Sequence, residues 1–234
     1  MGSVGKAVSS DIQSYNGPVS NVANRETPMS EEDREQISGG DWDTRYFQSP
    51  TSFTINSVLR DAAEKGVSVE EALNQSGVSN AEGLQKTIEA MDRNMRPTDT
   101  DMSVVRLADK DFGDAVFSRL GVSTGALVAI HNMKMLGKVS DTAMEELRSK
   151  LVGARITESS YMSTTYNTSM GDMEFSFLDR PIKMEMSVKA GVRGMFNPTG
   201  DESEFVLARD TSYVIKGVEF DRNTRKLVLS VDVG

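Results

Sequence analysis

The chain has 234 residues, with 26 Lys and Arg against 35 Asp and Glu for a net charge of −9, one histidine and no cysteine. That length suits one domain plus an extension, and the lack of cysteine excludes disulfide staples, thiol catalysis and Cys-based zinc sites. An acidic balance without a dense Lys/Arg run argues against nucleic acid or an anionic membrane as partner, and no apolar stretch approaches the roughly 20 residues of a membrane span.

In chain order, residues 1–40 carry Ser, Asn, Gly and charge with apolar residues scattered singly. Such a segment buries too little to offset its ordering entropy, so a flexible tail is expected over 1–40 and a folded domain over 41–234. Within the tail, Ser30-Glu31-Glu32-Asp33 is written as a capped helix start. The N-terminus shows no basic region followed by an apolar core, so export with signal cleavage is not expected; the tail reads either as a plain end or as an uncleaved secretion signal.

The single Trp, in Asp41-Trp42-Asp43-Thr44-Arg45-Tyr46-Phe47, marks where order is expected to begin. Ile55, Leu59 and Ala62 at helical spacing, with Gly66 as a stop, predict a helix over 53–66. Further helices are predicted over 69–75 and 81–94, before Pro97 ends the helical series. Val104 and Val105 make 102–107 a strand with Arg106 near its end. A buried helix over 124–136 and a surface helix over 141–151 follow. After Gly153 the pattern turns to short strand-like runs over 154–156, 161–165, 174–178, 182–188, 194–196, 204–207, 211–215, 218–220 and 227–233. Helices first and strands second predict an α+β fold with antiparallel sheets.

Three local patterns carry chemistry. Glu202 and Glu204 sit two residues apart, on one face of an extended chain, where two carboxylates repel unless solvent or a site accommodates both. Ser163-Thr164-Thr165 is a hydroxyl triplet, and Arg106 closes an apolar run. Taken singly, each has a plain reading: a solvated acidic turn, β-propensity, an ordinary strand arginine. Arg119 and Arg155 are lesser candidates for the arginine role. Taken together and in this order, the three resemble the mono-ADP-ribosyltransferases of the Arg, Ser-Thr-Ser, Glu-x-Glu class, and especially the bacterial exoenzymes of the binary-toxin and effector type. Ile55-Asn56-x-x-Leu59-Arg60 is similar to an early helix of that branch, and Ile182–Gly194 to the strand and turn leading to its catalytic loop.

The resemblance implies a helical N-terminal part packed on two antiparallel β-sheets that form an NAD cleft. It implies transfer of ADP-ribose from NAD, as substrate, to a side chain of an unidentified target protein, with arginine favoured because Glu-x-Glu rather than Gln-x-Glu is present. Arg106, Ser163, Glu202 and Glu204 are implied as catalytic. Arg106, Ser163, Thr164, Thr165, Glu204 and Phe175, twelve residues after Ser163, are implied as NAD contacts. Thr165 replaces the family's third Ser, and Leu107 stands where many members carry Gly. The rival expectations are an NAD glycohydrolase and a binding module that keeps the fold without activity. A monomer is expected, acting in a host-cell cytosol as a secreted or injected effector or toxin, or as a phage-delivered protein.

No metal is expected. The methionines show no metal-ligand spacing, Asp109–Asp114 has calcium-loop composition without the distal Glu, and His131 lacks an evident Asp or Ser partner pattern nearby.

Overall fold

The computed structural model describes residues 28–39, 45–47, 49–167, 180–198 and 203–234. Within them run α1 (Glu31–Ser38), α2 (Ser49–Lys65), α3 (Val69–Ser76), α4 (Ala81–Asn94), β1 (Arg96–Pro97), β2 (Met102–Ala108), α5 (Lys110–Arg119), α6 (Thr124–Leu136) and α7 (Asp141–Leu151). Then come β3 (Arg155–Glu158), β4 (Met162–Thr165), β5 (Ile182–Val188), β6 (Arg193–Phe196), β7 (Glu204–Leu207), β8 (Thr211–Asp221) and β9 (Lys226–Val233).

Every helix but α2 starts behind a Ser, Asn or Asp whose side-chain oxygen accepts a first-turn N–H: Ser30, Ser68, Asn80, Asp109, Ser123 and Ser140. Helix α5 is the helix that the sequence reading misses, as the two-residue strand β1 is among the strands. Asp109, weighed there as a cation-loop residue, is its cap and accepts from Phe112 N at 2.9 Å.

One further helix reading is corrected: α6, read as buried, leaves Val128, Met135 and Leu136 exposed. Helix α7 is the surface helix expected, burying Ala143, Met144, Leu147 and Leu151 along one face. The strands read as 211–215 and 218–220 are one strand, β8, which continues through an irregularity between Ile215 and Gly217. The run 174–178 and Trp42 lie outside the described residues.

The strands form one sheet in the order β1-β6-β7-β4-β2-β5-β9-β8-β3, antiparallel throughout except for the parallel β5/β9 pair. The two antiparallel sheets expected from the resemblance are thus two halves of one sheet, with one parallel pairing. They join where β2 meets β4 through a single ladder pair, Val105 with Thr165. The α+β class stands.

Alternation along β7 serves two cores at once. Phe205 and Leu207 enter a core with α5, α6, α7 and the central strands, while Val206 enters a second core with Ile37, Ile55, Leu59, Leu73, Ile88 and Met91 of α1–α4. Glu204, in phase with Val206, therefore faces the side of α1–α4. Helix α1, expected as a marginal part of a tail, is packed: Ile37 is buried, and Asp33 bonds Arg93 of α4 at 2.6 Å and Asn94 at 2.9 Å. Those bonds, with the Arg93 guanidinium foremost, hold the Asp33 carboxyl below its usual range.

Gly194 sets the spacing of β6 and β7. A Cβ there would lie 2.3 Å from Phe205 Cζ and 2.8 Å from the Val206 carbonyl oxygen, and the latter cannot swing aside. Gly194→Ala is expected to cost about 1–3 kcal/mol in a urea unfolding titration, as overpacking does. An unchanged midpoint would show that the two strands can part freely.

Candidate active site

Glu204 is the first residue of β7 and is half-buried. The residue before it, Ser203, takes φ 49, an uncommon left-handed conformation for a side chain other than glycine. The Ser203 carbonyl is pinned by Tyr166 N at 3.0 Å and by Thr165 Oγ1 at 3.2 Å, so the backbone reaches Glu204 in a fixed direction.

On β4, Ser163 is opposite Val206, which makes Glu204 its diagonal neighbour on the same face. Its hydroxyl donates to Glu204 Oε1. Asn197, just past β6, donates from Nδ2 to Glu204 Oε2 at 3.0 Å. The carboxylate is thus held at both oxygens, by one donor from each neighbouring strand.

Arg106 comes from the other half of the sheet. Its Nη1 donates to the Ser163 carbonyl at 2.9 Å, while its Nε–H is buried with no acceptor among the described residues. Such an orphaned donor has a cost unless something accepts from it. Arg180, two residues before the start of β5, is a second guanidinium in the field of Arg106. Burial lowers its pKa, the Arg106 charge lowers it further, and Asp109 opposes this. A guanidinium offers the planar, forked donors that an anion with several oxygens requires.

The other expected residues divide. Thr165 shares the face of Ser163, whereas Thr164 points the opposite way, is buried, and donates to the Phe205 carbonyl at 2.6 Å. It braces β4 against β7, a consequence of strand alternation. Glu202 and Phe175 lie outside the described residues. Arg119 is exposed at the end of α5 and Arg155 on the edge strand β3; neither joins Glu204. His131 does have a partner, Asp114 at 3.0 Å, but both are on the outer helices. Among the described residues no group of three or more His, Cys, Asp or Glu could hold a metal, and no helix is long and apolar enough to cross a membrane.

Sequence reasoning gave no site role to Arg180 or Asn197, and gave Asn56 and Arg60 only a place in a helix. Asn56 Oδ1 accepts from Tyr161 N at 3.1 Å, and Arg60 donates to Ser160 Oγ at 2.9 Å with Glu158 Oε1 at 3.8 Å. Helix α2 therefore steers the chain entering β4 from two positions one turn apart. The string Asn56-x-x-Leu59-Arg60 was the available signal.

The sequence profile of the ADP-ribosyltransferase exoenzymes matches residues 24–233. No curated protein sequence matches the chain. Among solved structures, the C3 exoenzyme of Clostridium limosum is similar over 89% of this chain and 87% of that one, at 20% identity and a TM-score of 0.62. C3stau2 from S. aureus, solved with NAD, is similar over 89% of both chains at 18% identity and a TM-score of 0.61. Plx2a, an ADP-ribosyltransferase toxin from Paenibacillus larvae, is similar over 88% of this chain and 87% of that one, at 20% identity and a TM-score of 0.57. At these identities the likeness to the three structures is one of fold.

Proposed function

Because the chain belongs to the ADP-ribosyltransferase exoenzyme family and is an NAD-dependent ADP-ribosyltransferase, we propose that it transfers a single ADP-ribose to an arginine of a target protein through the site around Glu204. The observation that carries this reading is the Glu204 carboxylate held at both oxygens, with Arg106 bonded to the carbonyl of the same Ser163 that donates to it.

In the reaction the bond from ribose C1′ to the nicotinamide nitrogen breaks. Its electron pair leaves with nicotinamide, which departs neutral. Positive charge then builds on the ribose, and a fixed carboxylate beside it stabilises that charge more than it stabilises NAD itself. We assign this task to Glu204, oriented by Ser163, with the ribose hydroxyls as its hydrogen-bond donors. Arg106 and Arg180 hold the pyrophosphate by paired, charge-assisted bonds. To Glu202 we assign the acceptor: a guanidinium is protonated and poorly nucleophilic, so a carboxylate must pair with it and take one proton as the new C–N bond forms. Phe175, an expected nicotinamide contact, keeps that assignment as part of the proposal.

The test incubates the protein with labelled NAD and either a eukaryotic or a bacterial lysate, following protein label and free nicotinamide together. Glu202→Gln is expected to retain nicotinamide release and lose protein labelling. Labelling that survives this change, or label mapped by mass spectrometry to a residue other than arginine, would overturn the acceptor assignment. Nicotinamide release without any labelled protein in either lysate would replace transfer with NAD hydrolysis. Plx2a is a toxin, and we place this chain in the same setting, as an effector acting on a protein of another cell.

A further inference from the structure

We infer that Asn197 is a positioning residue for Glu204, holding the second oxygen of the carboxylate as Ser163 holds the first. The inference rests on the assignment of Glu204 above and adds to it a residue outside the three sequence patterns.

An ionised carboxylate can only accept hydrogen bonds, so the Asn197 carboxamide must turn its NH2 group toward Glu204, and Nδ2 lies 3.0 Å from Oε2. Asn197 is 8% exposed, which makes it one of the few buried polar side chains among the described residues. Its backbone N–H donates to the Glu204 carbonyl at 3.0 Å, extending the β6/β7 ladder by one step past the Phe196–Phe205 pair. Backbone and side chain of Asn197 therefore grip the same residue.

The residue after Asn197 is held from outside the sheet. Arg34 of α1 donates from Nη1 to the carbonyl of Pro198 at 3.2 Å, and α1 is fixed to α4 through the Asp33–Arg93 and Asp33–Asn94 bonds. The amide is placed by a chain of contacts running from the first packed helix to the catalytic carboxylate.

Two donors on opposite oxygens stop the carboxylate from rotating, and both favour its ionised form. Other charged or titratable groups face the carboxylate from the neighbouring elements. Arg106 on β2 meets it through Ser163. Tyr46, next to α2, is a buried ring whose hydroxyl senses Glu204, Arg106 and Arg60. None of these changes in the test below.

The test measures the pH profile of nicotinamide release for the wild-type chain and for Asn197→Leu, which keeps the shape and removes the donor. The expected result is a fall in kcat of about tenfold with the KM for NAD within about twofold, and an acid limb of the kcat profile moved up by about one pH unit, since loss of a donor to the charged form favours protonation. A kcat and acid limb both unchanged would overturn the inference. So would a fall in kcat with the limb unmoved, because a merely structural asparagine has no reason to move it. If Asn197→Leu does not yield folded protein, Asn197→Ala is judged by the same two readouts. A wild-type chain that releases no nicotinamide would sink the assignment of Glu204 and this inference with it, an outcome distinct from an active wild type and an indifferent variant.

Discussion

Replacing Glu204 with Gln is expected to lower nicotinamide release by about 10²–10³-fold, the scale of losing one preorganised charge-stabilising group from a reaction centre. The amide keeps the size of the carboxylate and can still meet Ser163, but it brings no negative charge to the ribose cation. It also sets one NH2 donor against either Ser163 Oγ–H or Asn197 Nδ2–H, where the carboxylate accepted from both. The loss is expected in kcat with the melting temperature little changed, because Glu204 is half-buried and packs no apolar core. The check is a steady-state assay by chromatography beside a thermal melt. Retention of more than about a tenth of the rate would place the stabilising charge elsewhere.

Arg106→Lys is expected to act on the ground state as well. Lysine keeps the charge as a point and loses the planar fork, so it cannot donate to the Ser163 carbonyl and present a second, divergent N–H to a phosphate. We expect a loss in kcat/KM of about 10–100-fold, or roughly 1.4–2.7 kcal/mol, carried mainly by KM, with a matching loss of NAD affinity by calorimetry. A variant that binds NAD as the wild type does would remove Arg106 from the binding site and leave Arg180 as the phosphate arginine.

The parts of the fold legible in the sequence were those written in short-range code. Helices α2, α3 and α4 show their apolar period and their stops, and the strands from β5 onward show alternation broken by turn residues. Helix α5 was hidden because Asp-Lys-Asp reads equally as a helix cap or as a cation loop; only the Phe117 side of the helix, buried against the core, decides between them. The exposed face of α6 was hidden because an apolar run does not say which of its sides meets the sheet.

The site was legible to the extent that the strand period orders it. Ser163 and Glu204 could be paired from their motifs, and the alternation that brings them together turns Thr164 away. Arg180 and Asn197 were not legible, because their relevance arises from pairings 74 and 7 residues away, with Arg106 and Glu204, that no local pattern encodes. Two of the expected residues, Glu202 and Phe175, lie beyond what the structure describes.

The single ladder pair between β2 and β4 bears on how the enzyme meets its substrate. Glu204, Ser163 and Asn197 belong to one half of the sheet, Arg106 and Arg180 to the other, and backbone hydrogen bonding across the seam is at its thinnest beside them. On the assignment proposed above, a dinucleotide held by the arginines on one bank and by the glutamate on the other would act as a strut across that seam. Occupancy and stiffness are then one quantity: whatever loosens the joint weakens the grip, and a bound strut slows hydrogen exchange at Val105 and Thr165 before it is felt in either core.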